Sequence, residues 1–277
     1  MSKHIMMRYP EGRTKALTFS YDDGVRQDIR LMDILDRYGM KATFNLNSGL
    51  YPAEGGHRRM TAEEITQAYA NRGHEVACHA YTHPFLESLP AHAVAEEILS
   101  DRKALEAQFG RIVRGMAYPY GTFSDEVVEV LKNCGIAYAR TTVSTESFKL
   151  PTDWLRMPAT CHHRNPRLME LAKSFVEKSL RSRPCELFYV WGHSYEFDDA
   201  DNWHVIEEFA DYMGGREDEI WYATNIEIYE YVEDFKRLIS SADCTVVKNP
   251  TARTLWFKRD AEIHSIAAGE TLRFVEE

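Results

Sequence analysis

Lys15-Ala16-Leu17-Thr18-Phe19-Ser20-Tyr21-Asp22-Asp23-Gly24 is an apolar, aromatic run that ends in two adjacent carboxylates and a glycine. The run reads as a strand, with two anions left side by side at its end. Neighbouring carboxylates repel, so one of them takes up a proton unless a cation sits on or between them. A metal ion is the simplest such cation. In isolation the same residues would read as a turn capping a helix that starts near Asp28. They are not isolated: Gly73-His74-Glu75-Val76-Ala77-Cys78-His79 is a second strand pattern ending in a histidine, and His83 follows four residues later. Pro84 biases His83 away from helical geometry, which puts this His-x-x-x-His pair on a strand-end loop. An aspartate with two histidines is the donor set of a catalytic Zn²⁺ with three protein ligands and one position for water. Co²⁺, Ni²⁺ or Fe²⁺ suit the same donors.

From residue 15 to about residue 225, strand-like and helix-like patterns alternate, the signature of βα units with a parallel sheet inside and helices outside. Strand patterns fall at 16–21, 41–46, 74–78, 115–118, 136–140, 155–160, 186–191 and 220–224. Between them Leu31, Ile34, Leu35 and Tyr38 share one helical face, as do Leu168, Leu171, Ala172, Phe175 and Val176. Thr61-Ala62-Glu63-Glu64 has the form of a capping box. Seven or eight such units predict an α/β fold, a distorted TIM-like (β/α) barrel whose strand ends gather at one rim. That rim then carries Asp22, Asp23, Asn45, Asn47, His79, His83, Tyr120, Arg140, His162, His163, His193 and Asn225. Asn225 is expected to cap the helix through Ile228 and Tyr231, and at least one of the adjacent His162 and His163 to lie on an exposed loop. Tyr21, Tyr81, Tyr120, Trp191, Tyr195 and Trp203 fall near the rim too, where flat apolar faces either meet sugar rings or fill the mouth. After Cys244 the pattern turns to short β runs at 245–247, 254–257, 262–266 and 271–274. The expected division is a barrel over 1–241 and a small antiparallel appendage over 242–277. Packing on the barrel is the default for the appendage, with carbohydrate binding or a homodimer contact as its other uses.

Four motifs, in order from residue 18 to residue 193, make the sequence resemble the polysaccharide deacetylases, carbohydrate esterase family four. The first is Thr18-Phe19 with Asp22-Asp23-Gly24, Ser20-Tyr21 being an insertion or variant within it; the second is His79-Ala80-Tyr81-Thr82-His83. The third is Tyr118-Pro119-Tyr120-Gly121, and the last is His193 after the apolar run 187–191. The resemblance implies that Asp23, His79 and His83 hold a divalent metal, that Asp22 is the general base and that His193 is the general acid. It further implies that the backbone N–H of Tyr120 holds the oxyanion, with Pro119 and Trp191 lining the substrate. The implied reaction is removal of an N-acetyl group from a sugar, oligosaccharide or polysaccharide. Two departures stand out. Ala117 occupies the place where many members have an arginine beside the base, which leaves Arg140 or Arg156 as the replacement cation; and Asp153-Trp154 echoes only the end of the family's fourth motif. The alternatives are hydrolysis of another non-peptide C–N bond, in a small amide or cyclic imide, and an inactive carbohydrate-binding relative.

Composition narrows the partners. The 277 residues are 44% hydrophobic, enough for a large core, and carry a formal net charge of −10. That field disfavours nucleic acid and anionic membrane surfaces as partners. No apolar run approaches the roughly 20 residues of a membrane span, and residues 1–5 do not open a signal peptide, so a cytoplasmic location is expected. Five widely spaced cysteines form no Cys-x-x-Cys pair and read as reduced thiols.

Overall fold

Strand β2 (Lys15–Asp22) follows a short β1 (Ile5–Arg8) and is buried along its whole length. Alternation sorts its side chains: Leu17, Phe19 and Tyr21 face outward into a helical layer with Leu31, Leu35, Ile206 and Phe209, which leaves Thr18, Ser20 and Asp22 facing inward. The computed structural model describes residues 4–178 and 184–274. Beyond β2 the chain runs α1 (Gln27–Asp36), β3 (Ala42–Leu46), α2 (Ala62–Tyr69), β4 (Glu75–Cys78), α3 (Ala91–Phe109), β5 (Gly115–Ala117), α4 (Asp125–Asn133) and β6 (Tyr138–Ser144). It continues through β7 (Met157–Ala159), β8 (Cys161–His162), α5 (Leu168–Glu177), β9 (Glu186–Gly192), α6 (Tyr195–Asp199), α7 (His204–Met213), β10 (Ile220–Tyr222) and α8 (Asn225–Lys236). The capping box on α2 forms as read, Thr61 accepting from Glu64 N and Glu64 accepting from Thr61 N.

The central sheet is parallel, in the order β7-β6-β5-β4-β3-β2-β9-β8, with β10 added beside the first half of β2. Its two ends, β7 and β8, are separated by a single residue, Thr160, so the sheet closes on itself as a (β/α) barrel. Thr160 makes the join: its N–H donates to Tyr189 O at 2.9 Å, and its hydroxyl accepts from Tyr189 N at 3.0 Å. The strand expected over 155–160 is therefore two short strands, because this segment changes partner from β6 to β9 within six residues.

At the opposite end from the rim, α8 lies under the barrel. Thr224, not Asn225, caps it, in a capping box with Glu227. Asn225 is instead buried inside, accepting from Thr18 Oγ1 at 2.9 Å and donating to Tyr189 OH at 2.7 Å. Ile226 N donates to the Glu75 carboxylate at 2.9 Å. Further strands complete this end: β11 (Ile239–Ser240), β12 (Val246–Lys248), β13 (Leu255–Arg259), β14 (Glu262–Ile266) and β15 (Thr271–Arg273). β11-β12-β15 form one antiparallel sheet and β1-β13-β14 another. The strands do not follow a boundary at residue 241, since β1, from the amino end, pairs with β13 from Ile5↔Arg259 to Arg8↔Trp256. Val247, Leu255, Phe257 and Ile266 share one buried cluster with Tyr9, Ile228 and Tyr231 and with the barrel's Tyr138 and Tyr189. Among the described residues no helix is long and apolar enough to cross a membrane.

Candidate active site

The inward positions at the strand ends converge on Asp22. Its Oδ1 accepts from Asn45 Nδ2 at 2.8 Å, and its Oδ2 receives the Arg140 guanidinium. Nε2 of His79 and Nε2 of His193 each stand 3.9 Å from that same Oδ2. Burial alone would push this carboxyl up, but the cation of Arg140, with His79 and His193 behind it, holds it down at about 2. Arg140 is itself buried and lies over the Trp191 ring at 4.4 Å. Its strand partner in the β5–β6 ladder is Ala117, so the cation missing from the third motif enters from the next strand at the same height. Arg156 is not that cation; its guanidinium pairs with Asp153 and Asp125 at 2.5 Å near the surface.

Asp23, His79 and His83 form the first cluster able to hold a metal, their donor atoms all within 4.8 Å of one another. The backbone is bent to present them: Asp23, Ala80 and His83 have φ of 80°, 59° and 58°, a region non-glycine residues seldom adopt. The histidine chemistry fits a cation. His79 Nδ1 donates to Ala117 O at 2.8 Å, which fixes the proton there and leaves the Nε2 lone pair facing the cluster. Burial lowers the His83 pKa, which favours the neutral imidazole a metal needs.

A second cluster, His162, His193 and Glu196, has similar spacing and the opposite proton arrangement. His162 Nδ1 accepts from Arg164 N at 3.1 Å, so the neutral ring carries its proton on Nε2, aimed at Glu196 Oε2 3.2 Å away. It is a donor to a carboxylate rather than a lone pair for a metal. His163 Nε2 also reaches Glu196 Oε2 at 3.2 Å, and Arg164 Nη1 reaches Oε1 at 3.2 Å. The expectation that one of the two adjacent histidines sits out on an exposed loop is therefore corrected: His163 is 1% exposed and stacked on Tyr21 and Phe197, His162 is partly buried, and both face one carboxylate. Glu196 in turn stands 3.8 Å from His193 Nδ1. Burial drags the His193 pKa down, yet Glu196, Asp22 and Asp23 more than offset this and the net shift is upward from 6.5.

Three buried carboxylates that sequence reading did not single out stand behind these loops. Asp101, on α3, accepts from His79 N at 3.0 Å and from Ser48 N at 2.9 Å. Asp28, on α1, accepts from Val25 N at 3.0 Å and from the hydroxyls of Ser194 and Tyr69 at 2.5 Å, tying the Asp22–Asp23 loop to the His193 loop. Glu75 lies deeper and accepts from Tyr138, Thr43 and Ile226 N. Burial raises Asp28 and Glu75 to about 7 and Asp101 to about 6. Apart from Val25, three residues before Asp28, each partner is distant in sequence, so local pattern says little of them. Of the rim aromatics, Tyr21, Trp191 and Trp203 are buried, and Tyr81 and Tyr120 are exposed. Pro119 is buried beneath Tyr120, whose φ is 58°. Trp154 is core, donating from Nε1 to Glu233 at 2.8 Å.

The family model for polysaccharide deacetylase matches residues 9–139, a span that takes in Asp22, Asp23, His79, His83 and Tyr120 and stops before Arg140 and His193. Among curated proteins the chain is 29% identical over 143 residues to the peptidoglycan-N-acetylglucosamine deacetylase PgdA of Listeria monocytogenes, covering 50% of this chain and 28% of that protein. It is 30% identical over 148 residues to the chitooligosaccharide deacetylase of Bradyrhizobium sp., covering 52% of this chain and 60% of that one. The alignments thus span less than two thirds of either relative. Among solved structures, a putative polysaccharide deacetylase from Mycobacterium smegmatis superposes with a TM-score of 0.59 at 17% identity, covering 84% of this chain and 95% of that one. The fold thus extends beyond the segment that the family model matches. The family match over residues 9–139 and the curated relatives agree in making this part of the chain similar to the polysaccharide deacetylases, and the barrel is the fold of such a protein.

Proposed function

We propose that this protein is a metal-dependent hydrolase that removes N-acetyl groups from a saccharide and releases acetate. The observation that carries the reading is Asp22, ionised between Arg140 and Asn45, with His79 and His193 each 3.9 Å from one of its oxygens. Asp23, His79 and His83 are the residues that would hold a divalent ion, Zn²⁺ best fitting the donors. Bound there, the ion would polarise the acetamide carbonyl and acidify a water molecule. Asp22 then takes the proton from the attacking water, and Arg140 and Asn45 keep it oriented as it does so. The backbone N–H of Tyr120 supports the oxyanion, with Pro119 shaping the turn that presents it. His193 protonates the departing nitrogen from Nε2, and Glu196 on its Nδ1 side orients the ring and stabilises its charged form. Trp191 walls the site through its contact with Arg140.

The test is acetate release from N-acetylglucosamine oligomers by purified protein, after chelation and after return of Zn²⁺ or Co²⁺. Release that disappears on chelation and returns with metal is expected, and Asp23→Ala should retain neither metal nor activity. A metal-replete protein that leaves these sugars intact but cleaves small amides or cyclic imides would replace the saccharide reading with the alternative C–N hydrolase.

A further inference from the structure

Arg26 and Arg30, at and just inside the start of α1, and Arg58 and Arg59, on the segment before α2, are four cations beside the site in a chain of net charge −10. Three of them are matched one to one: Arg26 with Glu64 at 2.7 Å, Arg30 with Glu207 at 3.0 Å and Arg58 with Asp199 at 2.8 Å. Arg59 is not. Among the described residues its carboxylate neighbour is the proposed metal ligand Asp23, whose Oδ1 lies 3.9 Å from Nη2, and its hydrogen bond runs from Nη1 to Asp23 O at 3.1 Å. Nε and Nη2 donate to no described group, and the side chain is 36% exposed, open to a ligand. Arg140, the other cation of the site, is 1% exposed and already engaged by Asp22. The segment that carries Arg59 is tied down. Arg59 forms an antiparallel bridge with Val25, Arg26 N donates to Arg58 O at 2.8 Å, and Gly56 N donates to Arg59 O at 2.9 Å. Arg26 Nε adds a bond to Gly56 O at 3.2 Å, and the Arg58 guanidinium lies over the Tyr195 ring at 4.2 Å, which joins the segment to the His193 loop.

If Asp23 spends its charge as a metal ligand, Arg59 is left beside the reacting centre as a cation with an open Nε–Nη2 edge. A positive charge there works against a second cation in the Asp23 cluster, so the arrangement is favourable where the ligand itself brings a negative charge. The side-on edge of a guanidinium matches a carboxylate through two parallel N–H bonds. We propose that Arg59 selects an anionic N-acetyl sugar, holding a carboxylate that lies near the acetamide, on the same ring or on the next. This rests on the deacetylase reading of the site, and adds to it that acidic and neutral sugars are not equivalent substrates.

The metal-loaded protein should be assayed for acetate release on two matched pairs, as wild type, Arg59→Met and Arg59→Lys. N-acetylmuramic acid differs from N-acetylglucosamine by a carboxylate on the same ring. A tetrasaccharide alternating N-acetylglucosamine with glucuronic acid differs from the N-acetylglucosamine tetramer by carboxylates on the neighbouring rings. We expect wild-type kcat/KM to favour the acidic member of at least one pair by about tenfold, that pair naming the ring that carries the carboxylate. The preference should vanish in Arg59→Met and persist in part in Arg59→Lys. Calorimetry in an Asp22→Asn background that does not turn over should show the acidic member binding about tenfold more tightly, again only with Arg59 in place. Equal rates on both members of both pairs in wild type overturn the proposal while leaving the deacetylase reading intact. So does an Arg59→Met loss of the same size on neutral and acidic sugars, which would assign Arg59 to the oxyanion or to the fold of its loop. Arg59-dependent binding of acidic sugars by a metal-loaded wild type that releases no acetate keeps the anion site and overturns the deacetylase reading instead.

Discussion

Ala117 and Arg140 face each other across the β5–β6 ladder, and this pairing sets the charge on Asp22. In Arg140→Met the buried carboxylate loses its main cation, so its pKa should climb from about 2 toward and beyond the ordinary carboxylate value. As Asp22 must be ionised to act as a base, the acid limb of the pH–kcat/KM profile should move to higher pH by more than about one unit, with a fall of about a hundredfold at the optimum. An unmoved acid limb would remove Asp22 from the base role. Sequence made the histidines and aspartates of the site legible, since each follows a strand pattern at a fixed offset. It left Arg140 and Arg156 as equals, because register between strands decides which side chain reaches inward. Glu196 was invisible for a similar reason: its partners His162 and His163 lie on the other side of the β8–β9 pairing.

Thr160 shows how one element can be shared. Its hydroxyl accepts from Tyr189 N inside the sheet, so Thr160→Val, nearly the same shape, leaves that buried N–H without its hydroxyl acceptor. Urea denaturation should report a loss of about 1–3 kcal/mol. Helix α3 offers a parallel case: Asp101→Ala leaves His79 N with Leu46 O alone and takes the carboxylate from Ser48 N, and it should loosen metal affinity more than it lowers the melting temperature, as titration of the metal against a chelator would show. The helices were the most legible elements, and the α2 capping box formed residue for residue. Strand ends were less so. The pattern over 136–140 became Tyr138–Ser144, because β6 extends to pair with β7, and the apolar character of a segment does not say where its partner stops.

For the molecule as a whole, the alternation of patterns foretold a barrel, while the closing of its lower end by α8 and by strands from both termini depends on contacts no local pattern records. Glu75 is the polar centre of that end. Its pKa is raised from 4.5 to about 7 by burial, so the folded state binds the proton more tightly than the unfolded chain, and its contribution to stability falls as pH rises through that interval. His74 and His163, which burial lowers to about 4, tilt the curve the other way below pH 6.5. The difference between wild type and Glu75→Gln isolates the carboxyl: the variant should gain on wild type as pH rises from 5 to 8, by roughly 3 kcal/mol at most in denaturant titrations. Tyr231 stitches the same region, donating to Arg8 O at 2.7 Å and accepting from Trp256 N at 2.9 Å, and Tyr231→Phe should cost about 1–2 kcal/mol. Among the described residues this floor packs under the barrel at the end away from the proposed site. On the proposed reaction, acetate released beside Asp22 would leave by the rim at which the sugar arrives, so departure and arrival would share one lane.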